Sequence, residues 1–378
     1  MNAVTRVGFL KAMGCAALAA ASDWPAGKGK WFPSEMRKYK DPDTAREVWQ
    51  ITNSPYASSN LYFTAQSFVK HSAGLVFMST RPSKTELYYA ELKTGRFRQL
   101  TESERGAYHA CVCPRANTVA YLDNGGVWML DLNTLEQRKI FTIPKDHRPD
   151  LLSIDDSGKY VAFAYCIPLQ KPLGPDQTYH STIVRIRTDG SGFEKVLEQD
   201  YWISHVLINP TDPATILFCH EGSWDVVAQR MWIVQADGSG LRKLRVEEEP
   251  AVAIGHEHWT EFGAAVGYHG AYKGRVFLGR VKKDGTGVRE YTMTAPAGHT
   301  TATEDGRLVL GDGTVEFPYI SIFHLKASMA IADPICRSGR VNRVGVHAHA
   351  NFSSDGKYVV FESERGGGSN VYVVPVQV

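Results

Sequence analysis

Ser353-Ser354-Asp355-Gly356-Lys357-Tyr358-Val359-Val360-Phe361 reads as a polar turn feeding a short strand, and Asn370-Val371-Tyr372-Val373-Val374 follows as a second strand beyond another turn. Working outward, the same unit recurs as Asp156-Ser157-Gly158-Lys159-Tyr160-Val161-Ala162-Phe163 and as Glu304-Asp305-Gly306-Arg307-Leu308-Val309-Leu310. Looser copies centre on Gly74-Leu75-Val76-Phe77, Asn117-Thr118-Val119-Ala120-Tyr121, Pro213-Ala214-Thr215-Ile216-Leu217-Phe218 and Gly263-Ala264-Ala265-Val266-Gly267-Tyr268. The second turn is explicit at Thr188-Asp189-Gly190-Ser191-Gly192, Ala236-Asp237-Gly238-Ser239-Gly240 and Lys283-Asp284-Gly285-Thr286-Gly287, where glycine permits the positive φ of a tight hairpin. Seven copies at roughly 50 residues each match four-stranded propeller blades. The chain is therefore expected to be all-β, a seven-bladed β-propeller. Glu47-Val48-Trp49-Gln50-Ile51-Thr52 resembles the closing strand Phe97-Arg98-Gln99-Leu100-Thr101, so it is expected to complete the last blade and remove an exposed edge.

Composition agrees with one globular domain over 26–378: 43% hydrophobic, 22% charged, and a net charge of +2 that gives no electrostatic reason to expect a nucleic-acid partner. Residues 1–25 read as an export signal. Arg6 precedes an apolar stretch ending in Ala19-Ala20-Ala21-Ser22, and Thr5 to Lys11 resembles a twin-arginine signal with Val7 in place of the second arginine. Met13-Gly14-Cys15 is a lipobox-like alternative. A periplasmic location is the expectation, with no transmembrane domain. The six cysteines lack CxxC pairs or regular spacing and read as buried thiols.

Histidine recurs at one position of the repeat. Seven residues before the first-turn glycine stand His256, His299 and His349, and the same offset from equivalent turns gives His205 and His109. These positions start the innermost strands, which ring the central channel, so the side chains should converge. His347 lies two residues before His349, on the same side of an extended strand. A single histidine there reads as a polar residue facing a wet channel. His299, His347 and His349 together offer three imidazoles to one divalent transition metal. The loops opening on that face carry Arg81, Lys84, Lys171, His220-Glu221, Arg230, Lys273 and Arg365. Metal plus a cationic collar suits an anionic ligand.

Tyr39 to Thr44, His205 to Pro213, Phe218-Cys219-His220-Glu221-Gly222, Gln229-Arg230-Met231-Trp232, Gly255-His256-Glu257-His258-Trp259, the His299 segment through Gly311-Asp312-Gly313, and His347-Ala348-His349 together resemble the oligogalacturonate lyase family. The resemblance spans nearly the whole chain after the signal. It implies a seven-bladed propeller that binds Mn2+ and cleaves short galacturonides. It further implies that His256 is the general base, that Arg230 assists at the substrate, and that His299, His347 and His349 hold the metal. His205, His220, Arg81 and Lys171 are the expected substrate-binding residues. The family also has a glutamine three positions before the His-x-His pair, where this chain has Val344. That departure implies a water in its place, weaker binding or a different metal.

The expected chemistry is β-elimination from an acidic oligosaccharide. A proton leaves the carbon beside a uronate carboxylate, a metal offsets the carboxylate charge, and a neutral histidine is a suitable base near neutral pH. Two other readings remain: a non-enzymatic periplasmic propeller scaffold, and a lyase for a different uronate.

Overall fold

The structure, a computed structural model, describes residues 27–81, 83–246, 252–339 and 347–376. The export-signal segment 1–25 and Val344 lie outside the described residues. Each repeat copy identified from the sequence forms the second strand of a blade. Blade I is Ser58–Ser59, Gly74–Ser79, Glu86–Glu91 and Phe97–Gln99, and blade II is Tyr108–Cys113, Thr118–Asp123, Gly126–Asp131 and Gln137–Thr142. Blade III comprises Ser153–Ile154, Tyr160–Pro168, Tyr179–Arg187 and Phe193–Gln199; blade IV comprises Ile203–Ile208, Thr215–His220, Met231–Gln235 and Arg242–Lys243. Blade V runs Ala253–Thr260, Ala265–Tyr272, Arg275–Lys282 and Arg289–Met293, and blade VI runs Thr300–Ala302, Val309–Gly311, Tyr319–Lys326 and Met329–Arg337. Blade VII takes Asn351–Phe352, Tyr358–Ser363 and Asn370–Pro375 from the C-terminal end and Glu47–Gln50 from the N-terminal end. Trp49 pairs with Val373 and Gln50 with Tyr372, so the early strand closes the last blade as expected.

The apolar runs are continuous because blades stack face to face. In blade VII, Val359 and Phe361 pack with Leu310 and Ile320 of blade VI, while Val360 packs with Phe77 and Tyr88 of blade I. A strand buried on both faces has no polar side to alternate with. Blades V and VI are also joined at their outer edges, where Thr292 pairs with Met329 and Met293 with Ala330 in parallel.

Arg81 and Arg365 do not join a cationic collar. Arg81 is fully buried over the rings of Phe77, Tyr88 and Phe97, donates to Ser58 and Ser79, and pairs with Glu35 at 2.7 Å. Arg365 repeats this arrangement over Phe361 and Tyr372, contacting Ser363 and pairing with Asp41 at 3.3 Å. Each arginine thus clamps one end of segment 35–41 against the propeller. The expectation that Arg81 binds substrate is corrected on that ground: a fully buried, ion-paired guanidinium has no open face for a sugar. No helix among the described residues is long and apolar enough to cross a membrane.

Candidate active site

Three of the ring histidines owe their positions to a recurrent backbone irregularity. Tyr108 to Cys111 spans three steps against two on the partner strand, and the same extra residue occurs between Ser204 and Leu207 and between Gly255 and His258. Such a bulge bends the strand and re-aims the side chain it inserts. His109, His205 and His256 occupy these bulges with φ of 48°, 48° and 58°, and His349 has φ 43°. Left-handed backbone at a non-glycine residue costs about 1–3 kcal/mol, so surrounding packing must hold each one there. The segment 347–350 is not a strand, so His347 and His349 do not share a side through strand alternation. They still come together, with ring centroids 5.7 Å apart.

His299, His347 and His349 each offer a ring nitrogen, and the three atoms lie within 4.8 Å of one another. The groups behind them fit a metal ligand set. Asp312 accepts from the backbone N–H of His299 at 2.7 Å and faces its Nδ1 at 2.8 Å. Glu362 lies 3.7 Å from His349 Nδ1, and His349 Nε2 is buried without a hydrogen-bond partner. An unpartnered imidazole nitrogen directed into a histidine cluster is what a divalent ion would satisfy. Burial pushes Glu362 above the usual carboxylate range; burial also penalises charged Asp312, but His299 holds it low.

His256 stands beside this cluster, its ring centroid 4.3 Å from that of His299. Its Nδ1 lies 2.7 Å from Nε2 of His269, a residue of the second strand of blade V. Burial and the neighbouring His299 push His269 down to about 4, so it is neutral at physiological pH. Phe63 is fully buried against both, with centroids 5.3 Å from His256 and 5.0 Å from His299. Tyr62, beside it, packs on His349 at 4.9 Å, and its hydroxyl is 3.1 Å from His205 Nε2.

Arg230 is buried between two carboxylates. Its Nη1 and Nη2 reach the two oxygens of Glu221 at 3.1 and 3.2 Å, and its Nε donates to Glu257 at 2.5 Å. Glu257 Oε2 and Arg230 Nη2 each lie 3.5 Å from His205 Nδ1. Burial alone would raise the Glu257 carboxyl, but Arg230 and His205 hold it well below the ordinary range. His205, Cys219 and Glu221 also cluster at metal-ligand distances. The guanidinium already engages both Glu221 oxygens, and burial keeps the Cys219 thiol protonated, so this trio is an arginine site.

The remaining expected residues are dispersed. His220 is buried and stacked on Tyr201 at 3.9 Å, with Nε2 3.7 Å from Asp176. Lys171 is exposed on the loop between the second and third strands of blade III. Sequence reading singled out none of Tyr62, Phe63, Glu257, His269, Asp312 and Glu362 for a role in the site, although Glu257 and Asp312 stand inside its most specific motifs.

Comparison with known proteins identifies the family. A family model described as oligogalacturonate lyase matches residues 26–378. An oligogalacturonate lyase of Dickeya dadantii is 27% identical, covering 92% of this chain and 98% of that protein. An oligogalacturonide lyase of Pectobacterium atrosepticum is 25% identical over the same shares. Among solved structures, an oligogalacturonate lyase in complex with manganese superposes with a TM-score of 0.84 at 23% identity, covering 93% of this chain and 99% of that one. The Vibrio parahaemolyticus oligogalacturonate lyase gives 0.83 at 22% identity, with the same coverage. These two share the propeller fold. With a family match over essentially the whole described chain, the protein belongs to the oligogalacturonate lyase family, a family of lyases.

Proposed function

We propose that this enzyme cleaves short oligogalacturonides, or closely related oligouronides, by metal-dependent β-elimination with His256 as the base. The observation that carries the reading is the convergence of three histidine nitrogens within 4.8 Å, with the His256 ring 4.3 Å from the His299 ring. His299, His347 and His349 would hold the ion, Mn2+ or another divalent transition metal. Bound there, it would supply Lewis acidity that offsets the charge of the uronate carboxylate as the neighbouring proton leaves.

The protein's own groups divide the remaining work. His256 has Nδ1 engaged by His269, so proton uptake falls to Nε2. His205 is less suited to the base role, because Tyr62 and Glu257 face its two nitrogens. Arg230 directs its donors to Glu221, Glu257 and His205, so it acts as the cation that organises this wall of the site. Direct pairing with a substrate carboxylate would require it to exchange one of these bonds. Phe63 and Tyr62 supply a floor that limits water beneath the reacting carbon. His205, His220 and Lys171 are the proposed substrate contacts. Residues 1–25 are read as an export signal on sequence alone, giving a periplasmic site of action.

The test is an ultraviolet assay for the unsaturated uronate product on a panel of galacturonides and other oligouronides. Chelator should abolish turnover of galacturonides and added manganese should restore it. Full activity in chelator would overturn metal dependence, and turnover confined to another uronate would overturn the substrate.

A further inference from the structure

The base has a histidine behind it where two of the metal-site histidines have carboxylates. Asp312 faces His299 Nδ1 and Glu362 faces His349 Nδ1, whereas His256 Nδ1 meets His269 Nε2 at 2.7 Å. The bulge explains the contact. Gly255 pairs with His269 and His258 with Gly267, so His256 and Glu257 together oppose the single residue Tyr268. The extra residue, at φ 58°, turns the His256 ring back on its own partner strand, with the two ring centroids 4.8 Å apart.

We propose that His269 is the positioning residue of the base: its Nε2 accepts the Nδ1 hydrogen of His256 and so fixes that ring's tautomer and orientation. The inference rests on the reading of His256 as the base. A neutral imidazole has one N–H, and two nitrogens at 2.7 Å share one hydrogen. If His269 donated, the His256 hydrogen would sit on Nε2 and that nitrogen could not take a proton. With His256 donating, Nε2 keeps its lone pair. The proton on the carbon beside the carboxylate moves to His256 Nε2, and the C–H electron pair becomes the new carbon–carbon double bond. The glycosidic C–O bond breaks as this happens, and its oxygen takes a proton from water. His256, then doubly protonated, still donates through Nδ1 to His269. An uncharged acceptor orients the base without placing a further anion beside the substrate carboxylate. A carboxylate would add that repulsion, whereas behind a metal ligand a carboxylate raises ligand basicity.

The test compares His269→Phe, His269→Gln and His269→Asn in the manganese-loaded enzyme, using trigalacturonate and the ultraviolet product assay. The Gln amide oxygen reaches the place of Nε2; the shorter Asn side chain does not. A misplaced catalytic group costs about 10²-fold, so His269→Phe should lower kcat by roughly 30–100-fold. KM should stay within about threefold and manganese affinity unchanged, while Gln should recover at least about tenfold of the loss. Should the Phe variant fail to fold, the Gln and Asn variants carry the same comparison, with Gln the more active. Equal kcat for Gln and Asn, a Phe variant within about threefold of wild type, or a loss that appears in metal affinity would each overturn the proposal. His256→Ala is measured in parallel. If it retains turnover, the base assignment itself fails; if it is inactive while His269→Phe is normal, only the positioning role fails.

Discussion

Asp312 holds His299 twice, accepting its backbone N–H at 2.7 Å and facing its Nδ1 at 2.8 Å. A carboxylate can only accept, so the Nδ1 hydrogen is fixed and Nε2 is the nitrogen left for coordination. The double contact sets both the ring's rotation and the backbone from which it projects. The proposed metal site would therefore be built one layer deeper than its three histidines.

Asp312→Asn should weaken manganese binding by about 10–100-fold, the usual cost of losing a carboxylate behind a ligand histidine. The amide side chain keeps the volume, so cooperative unfolding should persist. Titration calorimetry reads the affinity directly. An unchanged value would show that Asp312 only supports the fold.

Arg81→Leu separates a structural arginine from a substrate contact. Removing the guanidinium takes the cationic partner from a mostly buried Glu35 and loosens that end of segment 35–41, at an expected cost of about 2–4 kcal/mol. KM for oligogalacturonides should not move. A raised KM with unchanged denaturant stability would return Arg81 to the substrate site.

Acid sensitivity should trace in part to His258. Burial pushes its pKa down to about 4, while the unfolded chain keeps the ordinary value of about 6.5. The unfolded state therefore binds the extra proton first. This contribution to stability is intact above about pH 6.5, erodes as pH falls, and is gone below about pH 4, a span worth roughly 3 kcal/mol. Denaturation curves between these limits should flatten in His258→Gln relative to the parent chain. An identical slope in both would assign the sensitivity to other groups.

The fold was legible because each blade repeats a turn, most often with glycine, before an apolar strand, and Glu47–Gln50 carried the pattern of a closing strand. The histidine ring followed from a constant offset to that turn. What stayed hidden was the bulge, since one inserted residue leaves no mark in a strand as apolar as Ile203–Ile208. His269 was missed for a related reason. It sits on a second strand, outside the repeated position, and meets His256 only because the bulge turns that ring backward. Arg81 and Arg365 were misread as members of the cationic collar although a signal was available: Ser79-Thr80-Arg81 and Ser363-Glu364-Arg365 repeat a Ser-x-Arg pattern behind an aromatic strand. Repetition of a charged residue at one blade position marks packing when its partners lie in an early segment such as 35–41.

The proposed division of labour between His256 as base and the histidine cluster as metal site is tested most directly by turnover of His256→Ala after its manganese content has been confirmed. The expected result is about one ion per chain, bound as in the parent enzyme, and turnover lower by about 10²-fold or more. Near-normal turnover in the metal-loaded variant would contradict it and move the proton-accepting role away from His256.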